Sequence, residues 1–243
     1  MGVVILMNNG AGGSTPPTAD LRVRQAVIHA LDTELIDQRV NGGAGLPTSA
    51  MIHPRSRFAS PGVEGPGFDP ELARSLVEEV KAEGSWDGRV LLTCGVDPAS
   101  TERALAVEAL LENVGFDVEV EGVTSTVQRV IVDQNYELAC WGLGVRDDTP
   151  YVKLEQNMRG GSASNYMGYA SEAFDDALDA MRVARTIEEQ REALAAAQEV
   201  WNETAPTAVL EAVEVFIATA ARVEGLRMSQ NFLVSYADAR VSS

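Results

Sequence analysis

Residues 89–142 read RVLLTCGVDPASTERALAVEALLENVGFDVEVEGVTSTVQRVIVDQNYELACWG, and their rhythm decides the fold class. Arg89 to Cys94 reads as a strand and Ser100 to Val114 as a helix. Asp117 to Val123 is a second strand, Thr126 to Asp133 a second helix, and Tyr136 to Trp141 a third strand. A helix between successive strands supplies the crossover that parallel pairing requires. The order therefore predicts an α/β fold with a parallel sheet and right-handed connections.

Upstream, Asp69-Pro70-Glu71 is a helix start, with a cap, a proline in the first turn and an acid at the positive end of the dipole. Leu72, Leu76 and Val80 form its apolar stripe, and Gly84 ends it. Before it lies an irregular stretch, Leu46 to Phe68, with four prolines, whose length marks a packed functional or boundary loop. Earlier still, Asp20 caps a helix with Val23, Val27, Ala30 and Leu31 on one face, and Asp32 caps a short helix stopping at Gly42-Gly43. Val3 to Met7 reads as a strand, followed by a Gly, Ser, Thr and Pro-rich loop. Downstream, after a polar loop, Ser171 and Thr186 begin two helices that should form an antiparallel pair, Thr186 and Glu189 having capping-box spacing. Thr207 to Val213, Glu214 to Thr219 and Phe232 to Val241 suggest closing strands.

Composition narrows the function classes. The 243 residues carry 19 Lys plus Arg against 36 Asp plus Glu, a net charge of −17, which excludes nucleic acid or an anionic membrane as the main partner. The charge is uneven: residues 1–60 hold five arginines and four acids, so residues 61–243 carry −18. No apolar run approaches the roughly 18 to 20 residues of a membrane span, and the start lacks both the features of a signal peptide and a myristoylation motif. Cys94 and Cys140 have no CxxC spacing, and the reading of two small buried residues is preferred to a bridge. His29 and His53 stand far apart, so neither a metal site nor a cofactor is expected. Gly160-Gly161-Ser162-Ala163-Ser164 lacks the final glycine of a nucleophile elbow, and Gly10-Ala11-Gly12 lacks the third glycine of a dinucleotide loop. The acid pairs Asp147-Asp148 and Asp175-Asp176 read as solvated neighbours rather than catalytic dyads. Asn202-Glu203-Thr204 matches a glycosylation sequon, but sits at a helix end where capping explains it.

Asp20-Leu21-Arg22-Val23-Arg24-Gln25-Ala26, continuing to Ala30-Leu31-Asp32, resembles a signature of the family 5 extracellular solute-binding proteins, the dipeptide and oligopeptide receptors of ABC importers. Later segments agree in order. Asn41-Gly42-Gly43-Ala44-Gly45-Leu46-Pro47 is similar to the family's glycine turn, and Phe68-Asp69-Pro70-Glu71 with Ala73, Leu76 and Val77 to its next helix. Tyr136 to Gly142 resembles a family strand. Asn165-Tyr166-Met167-Gly168-Tyr169, Phe174-Asp175 and Ala205-Pro206 fall where the family places similar motifs. The resemblance implies a type II periplasmic-binding-protein-like lobe: a mixed sheet with a βαβαβ core flanked by helices, plus an antiparallel helix pair. It also implies that residues 1–19 are a hinge strand and linker, 20–230 the C-terminal ligand-binding lobe and 231–243 the return hinge strand. The N-terminal lobe and signal peptide would lie outside this sequence, and the protein would work outside the cytoplasm, in the periplasm or anchored at the cell surface. Implied partners are a peptide or other small solute, ABC permease subunits and the protein's own N-terminal lobe.

Ligands of open α/β sheets sit at the carboxyl ends of strands, which favours the loop after Tyr136–Trp141. In peptide receptors of the family an Asp in that loop, four residues before a proline, pairs with the ligand's α-amino group; counting back from Pro150 finds Arg146, with Asp147 and Asp148 next. Arg146 would repel an ammonium and suit a carboxylate or sugar hydroxyls, unless it pairs with Asp148; a one-residue shift would return the anchor role to Asp147. Trp141 offers an aromatic face, or else fills core. The backbone of Gly142, Leu143 and Gly144 can approach a ligand closely. Asn165 and Tyr166 are further cleft candidates, with a turn role as the plainer reading, while Arg22 and Arg24 are expected in structural ion pairs. Rival readings are an oligosaccharide receptor of the same family, a secreted hydrolase using Asp147, Asp148 or Asp175, and the sensory domain of a regulator.

Overall fold

The computed structural model describes residues 1–147, 149–214, 216–228 and 233–242. They fall into two units, Met1–Ala212 and Val213–Ser243. The first runs β1 (Val3–Met7), α1 (Leu21–Ala30), α2 (Thr33–Asn41), β2 (Leu46–Pro47), α3 (Pro70–Ala82), β3 (Arg89–Gly95), α4 (Pro98–Glu112), β4 (Asp117–Val123), β5 (Leu138–Gly142), α5 (Pro150–Met158), α6 (Glu172–Val183), α7 (Ile187–Thr204) and β6 (Thr207–Ala212).

Local chemistry accounts for most boundaries. Asp20, Asp32 and Asp69 each accept a bond from a backbone N–H of the following turn, at Arg22, Leu35 and Leu72, and so satisfy a donor the helix cannot. Gly42 closes α2 in the left-handed conformation, φ 64°. At α7 the capping box is complete: Thr186 accepts from Glu189 N–H, and the Glu189 carboxylate accepts from Thr186 N–H. Thr186→Ala is expected to cost about 1 kcal/mol, or roughly 2–4 °C in thermal midpoint, read by circular-dichroism melting.

The parallel core forms as the alternation predicts. β3 pairs in parallel with β4 on one side, Arg89 opposite Asp117, and with β5 on the other, Leu92 opposite Leu138. The second crossover is helical where the sequence pattern places it, from Thr126 to Val132, and Gln128–Val132 takes the form of a short π-type turn. The whole sheet has the order β2-β6-β1-β5-β3-β4, with β1 antiparallel to both β5 and β6. A continuous apolar run such as Val3–Met7 suits a strand covered on both faces, and β1 occupies that interior place. Its alternate residues feed two cores. Ile5 and Met7 join Val27, Val77, Val107, Leu92 and Leu138 on one face; Val4 and Leu6 join Leu154, Phe174, Leu178 and Trp201 on the other. The result is a helix–sheet–helix sandwich, with α6 and α7 packed together on the second face.

Four expectations are corrected. Cys94 and Cys140 are not free: they form a disulfide, Cα–Cα 4.8 Å, because the parallel register that sets Thr93 opposite Ala139 brings the next residues of β3 and β5 side by side. Among the described residues Arg24 makes no carboxylate pair; its buried guanidinium donates to the carbonyls of Thr18, Ala19, Thr204 and Ala205. Arg22, by contrast, does pair with Asp20, Glu79 and Glu83. The segment between Trp141 and Ser171 is not wholly loop, since Thr149 leads into α5 with Pro150 in its first turn and Leu154 and Met158 buried. In the second unit, the described residues of Glu214–Thr219 form no strand, and Phe216 is 81% exposed. That unit has two antiparallel ribbons instead, β7 (Val223–Glu224) with β10 (Arg240–Val241) and β8 (Arg227–Met228) with β9 (Val234–Ser235). Phe232, the expected start of the last strand, lies outside the described residues.

The proline-rich stretch after β2 is packed against α7. Met51 N–H donates to the buried Gln198 amide at 2.7 Å, and Asn202 donates to the Glu64 carbonyl at 2.8 Å. Thr204 bonds its own helix at Val200, so both polar residues of the sequon carry structural bonds. Gly65 is obligatory for this packing: a Cβ there would collide with the Ser49–Ala50 backbone.

Candidate functional site

All three parallel strands end on one edge of the sheet, at Gly95, Val123 and Gly142, and the antiparallel β1 begins there, Val3 facing Gly142. The loop after β5 crosses this edge. Leu143 anchors it: its N–H donates to the Gly2 carbonyl at 2.9 Å and its side chain is 4% exposed in the second core. Val145 N–H turns back onto the Leu143 carbonyl at 2.9 Å. Gly142 and Gly144 flank that anchor and are exposed. Neither has a positive φ, and a Cβ would meet only the Gly2 carbonyl at 3.7 Å in the first case and nothing within 4 Å in the second. Among the described residues nothing requires glycine at either position.

Asp147 is exposed but held. Its carboxylate accepts the Ser56 hydroxyl, and its carbonyl accepts Arg57 Nε at 3.1 Å. Ser56 in turn receives Phe58 N–H at 3.0 Å, and the Arg57 guanidinium lies 4.7 Å over the buried Phe58 ring. His53 starts the same turn, its Nδ1 accepting Arg55 N–H at 3.1 Å. Burial first, then the Arg55 cation, hold its imidazole below the ordinary range, while the Asp147 charge acts the other way. Arg146 is half-buried and interacts within the chain. Asp148 lies outside the described residues. The residues that sequence reasoning missed are therefore His53, Ser56 and Arg57. The only signal was that their segment is long, irregular and packed.

Trp141 is half-buried against the second core, so much of its ring serves packing. Asn165 and Tyr166 are not brought to this loop. α5 carries the chain back across the sheet, and residues 165–169 settle at the opposite end, where Asn9 N–H donates to the Met167 carbonyl and Asn8 pairs with Glu137, just before β5. Asn165 bonds the carbonyls of Arg159 and Tyr169 at 3.1 and 2.7 Å, and the Tyr166 carbonyl accepts the Tyr136 hydroxyl at 3.0 Å. Their turn role is what the structure displays. Asp175 likewise receives Gly160 N–H at 3.1 Å, a loop-closing bond rather than half of a dyad.

At the β6 corner of the same edge, Arg103 and Glu211 pair at 3.8 Å with side chains 13% and 15% exposed, and Asn41 links Glu211 to Asp37 at 2.7 and 2.8 Å. This network ties α2 and α4 to the end of β6 and stiffens the edge on which the loop sits.

The α/β fold agrees with the comparison to known proteins. The family model for bacterial extracellular solute-binding proteins, family 5 Middle, matches residues 1–165. The chain belongs to the family 5 bacterial extracellular solute-binding proteins. A candidate ABC transporter peptide-binding protein of Brucella ovis is 28% identical over 182 residues, 70% of this chain and 34% of its own length. The dipeptide-binding protein of Escherichia coli K12 is 22% identical over 216 residues, covering 86% of this chain and 40% of its own. Among solved structures, the dipeptide-binding protein of Pseudoalteromonas sp. SM9913, in complex with Met-Leu, superposes with a TM-score of 0.78 at 23% identity, over 99% of this chain and 48% of that one. A substrate-binding protein of Microbacterium hydrocarbonoxydans, complexed with 4-hydroxybenzoate hydrazide, superposes at 0.74 with 22% identity, over 99% and 49%. The chain thus spans about a third of the curated relatives' length and about half of the solved chains. Its fold is the α/β, type II periplasmic-binding-protein-like architecture that family 5 members share. Among the described residues no helix is long and apolar enough to cross a membrane.

Proposed function

We propose that this family 5 chain is the C-terminal lobe of a solute receptor for an ABC importer, which captures peptides or related small solutes between two lobes and delivers them to membrane permease subunits. The observation that carries this reading is the glycine-flanked loop 142–147 at the carboxyl edge of the sheet. Glycine in and after a strand costs backbone entropy, and among the described residues no neighbour or backbone angle demands it here. A solute's approach to the exposed backbone supplies the missing reason. The role is binding rather than catalysis. Residues 1–19 and 231–243 are the two crossings to the other lobe, and closure about them brings the second wall onto the ligand. The Cys94–Cys140 bridge supports work outside the cytoplasm, in the periplasm or at the cell surface, since disulfides persist in oxidising compartments.

A second reading, a non-peptide solute of the same receptor class, is favoured by one observation: the position expected to hold an amine-binding acid carries Arg146. Native mass spectrometry of the two-lobed receptor purified from cells distinguishes them, retained peptides supporting the first and retained oligosaccharides the second. Calorimetry tests the lobe argument. Losing one wall of the site is expected to weaken binding by the 243-residue chain at least about 100-fold relative to the whole receptor. Micromolar or tighter peptide binding by this chain alone would contradict it.

A further inference from the structure

We propose that Arg57 is a carboxylate receptor beside the ligand loop, so that the site selects solutes bearing a free carboxylate. This rests on reading residues 142–147 as a ligand wall, and it adds a residue from a different segment to that wall. Arg57 is mounted like a fixed tool. Its Nε donates to the Asp147 carbonyl at 3.1 Å, its guanidinium carbon stands 4.7 Å over the Phe58 ring, and that ring is only 2% exposed. The main chain beneath is held as well, the Arg57 carbonyl accepting Arg191 Nε at 2.7 Å. With Nε occupied and the guanidinium carbon over the Phe58 ring, the two terminal nitrogens remain, and among the described residues neither has a hydrogen-bond partner and no carboxylate lies within ion-pair distance of Arg57.

The nearest acid does not satisfy that charge. Asp147 turns its carboxylate to the Ser56 hydroxyl and offers Arg57 only its carbonyl. Arg57 therefore sits next to a carboxylate yet keeps a pair of terminal N–H donors without a partner among the described residues. Planar carboxylates match such a fork in a way a lysine ammonium cannot. The side chain is exposed, so a ligand reaches it without displacing core.

The test uses the 243-residue chain, its Arg57→Gln and Arg57→Lys variants, and three probes at millimolar concentration: N-acetyl-alanyl-alanine, alanyl-alanine amide and inorganic phosphate. Nuclear magnetic resonance reads the Arg57 Nε–H and the backbone amides of residues 142–147, and melting curves confirm that both variants fold. The acetylated acid is expected to shift both sets of signals while the amide does not. Arg57→Gln should weaken that response at least about tenfold and Arg57→Lys by an intermediate factor. Phosphate binding as tightly as the carboxylate probe, or a preference for the amide, would overturn the assignment. Shifts at residues 142–147 that survive Arg57→Gln unchanged would reject Arg57 alone and leave the ligand loop standing. Silence of all three probes at every one of these signals would reject Arg57 as a carboxylate receptor, whereas the ligand loop is judged by mass spectrometry and calorimetry of the two-lobed receptor.

Discussion

Replacing Cys94 and Cys140 together by alanine lowers the unfolding free energy by about 4 kcal/mol, the chain-entropy value for a closed loop of this length, the two residues being 46 apart in sequence. For a unit of this size that corresponds to a thermal midpoint lower by roughly 8–16 °C. The physical content is specific. The bridge joins neighbouring parallel strands across a connection that contains α4, β4 and the short turn, so in the unfolded chain it closes the whole βαβαβ segment on itself. Both cysteines are nearly inaccessible, 1% and 8% exposed, and belong to the first core. Denaturation with and without reductant checks the prediction: the native chain should lose stability on reduction, and the double-alanine variant should be indifferent. Equal midpoints for the native chain under both conditions would refute it.

The same bridge shows what can and cannot be read before the structure. Helix starts are legible because capping is a local affair: Asp20, Asp32, Asp69 and Thr186 each bond within the first turn of the helix they begin. The three parallel strands are legible because the alternation with helices leaves few topologies. The register between β3 and β5 is not. Their pairing depends on how the segment between them folds, the two cysteines being 46 apart in sequence, and so the sequence favours two buried thiols over the bridge that forms. β1 announces burial by its composition but not its neighbours, which come from residues 138–142 and 207–211. α5 was hidden because a nine-residue helix with only Leu154 and Met158 in its stripe gives too little periodicity. The site divides in the same way. The edge rule for α/β sheets finds the loop after β5, but the partners of that loop, Ser56 and Arg57, lie about ninety residues earlier and are brought in by the packing of an irregular segment on α7. Asn165 and Tyr166 mislead for the converse reason. They are close to the loop in sequence, and α5 then takes them to the other end of the sheet.

Arg24→Ala is expected to destabilise the fold by about 3–5 kcal/mol, with lowered soluble yield and a lower denaturation midpoint. Arg24 sits at the convergence of the turn before α1 and the end of α7. Its Nε bonds the Ala205 carbonyl at 3.0 Å, one terminal nitrogen bonds Thr18 and Ala19 at 2.9 and 3.0 Å, and the other bonds Thr204 at 3.0 Å. Ala205 adopts a left-handed conformation, φ 47°, at the point where α7 stops and the chain turns into β6, so the arginine secures a backbone that a non-glycine residue holds only under constraint. Truncation leaves four carbonyls that have lost their donor and a cavity in place of the side chain, and the residue is only 8% exposed. Burial lowers the guanidinium pKa, and the nearby Asp20 charge, second after Tyr169 among the opposing influences, offsets this only in part. The cation therefore stays because the carbonyls hold it. Arg24→Lys separates charge from geometry: an ammonium keeps the charge but cannot span carbonyls on both segments with a planar fork, so most of the loss should remain. A lysine variant as stable as the native chain would mean that charge alone matters here and that the carbonyl bonds contribute little.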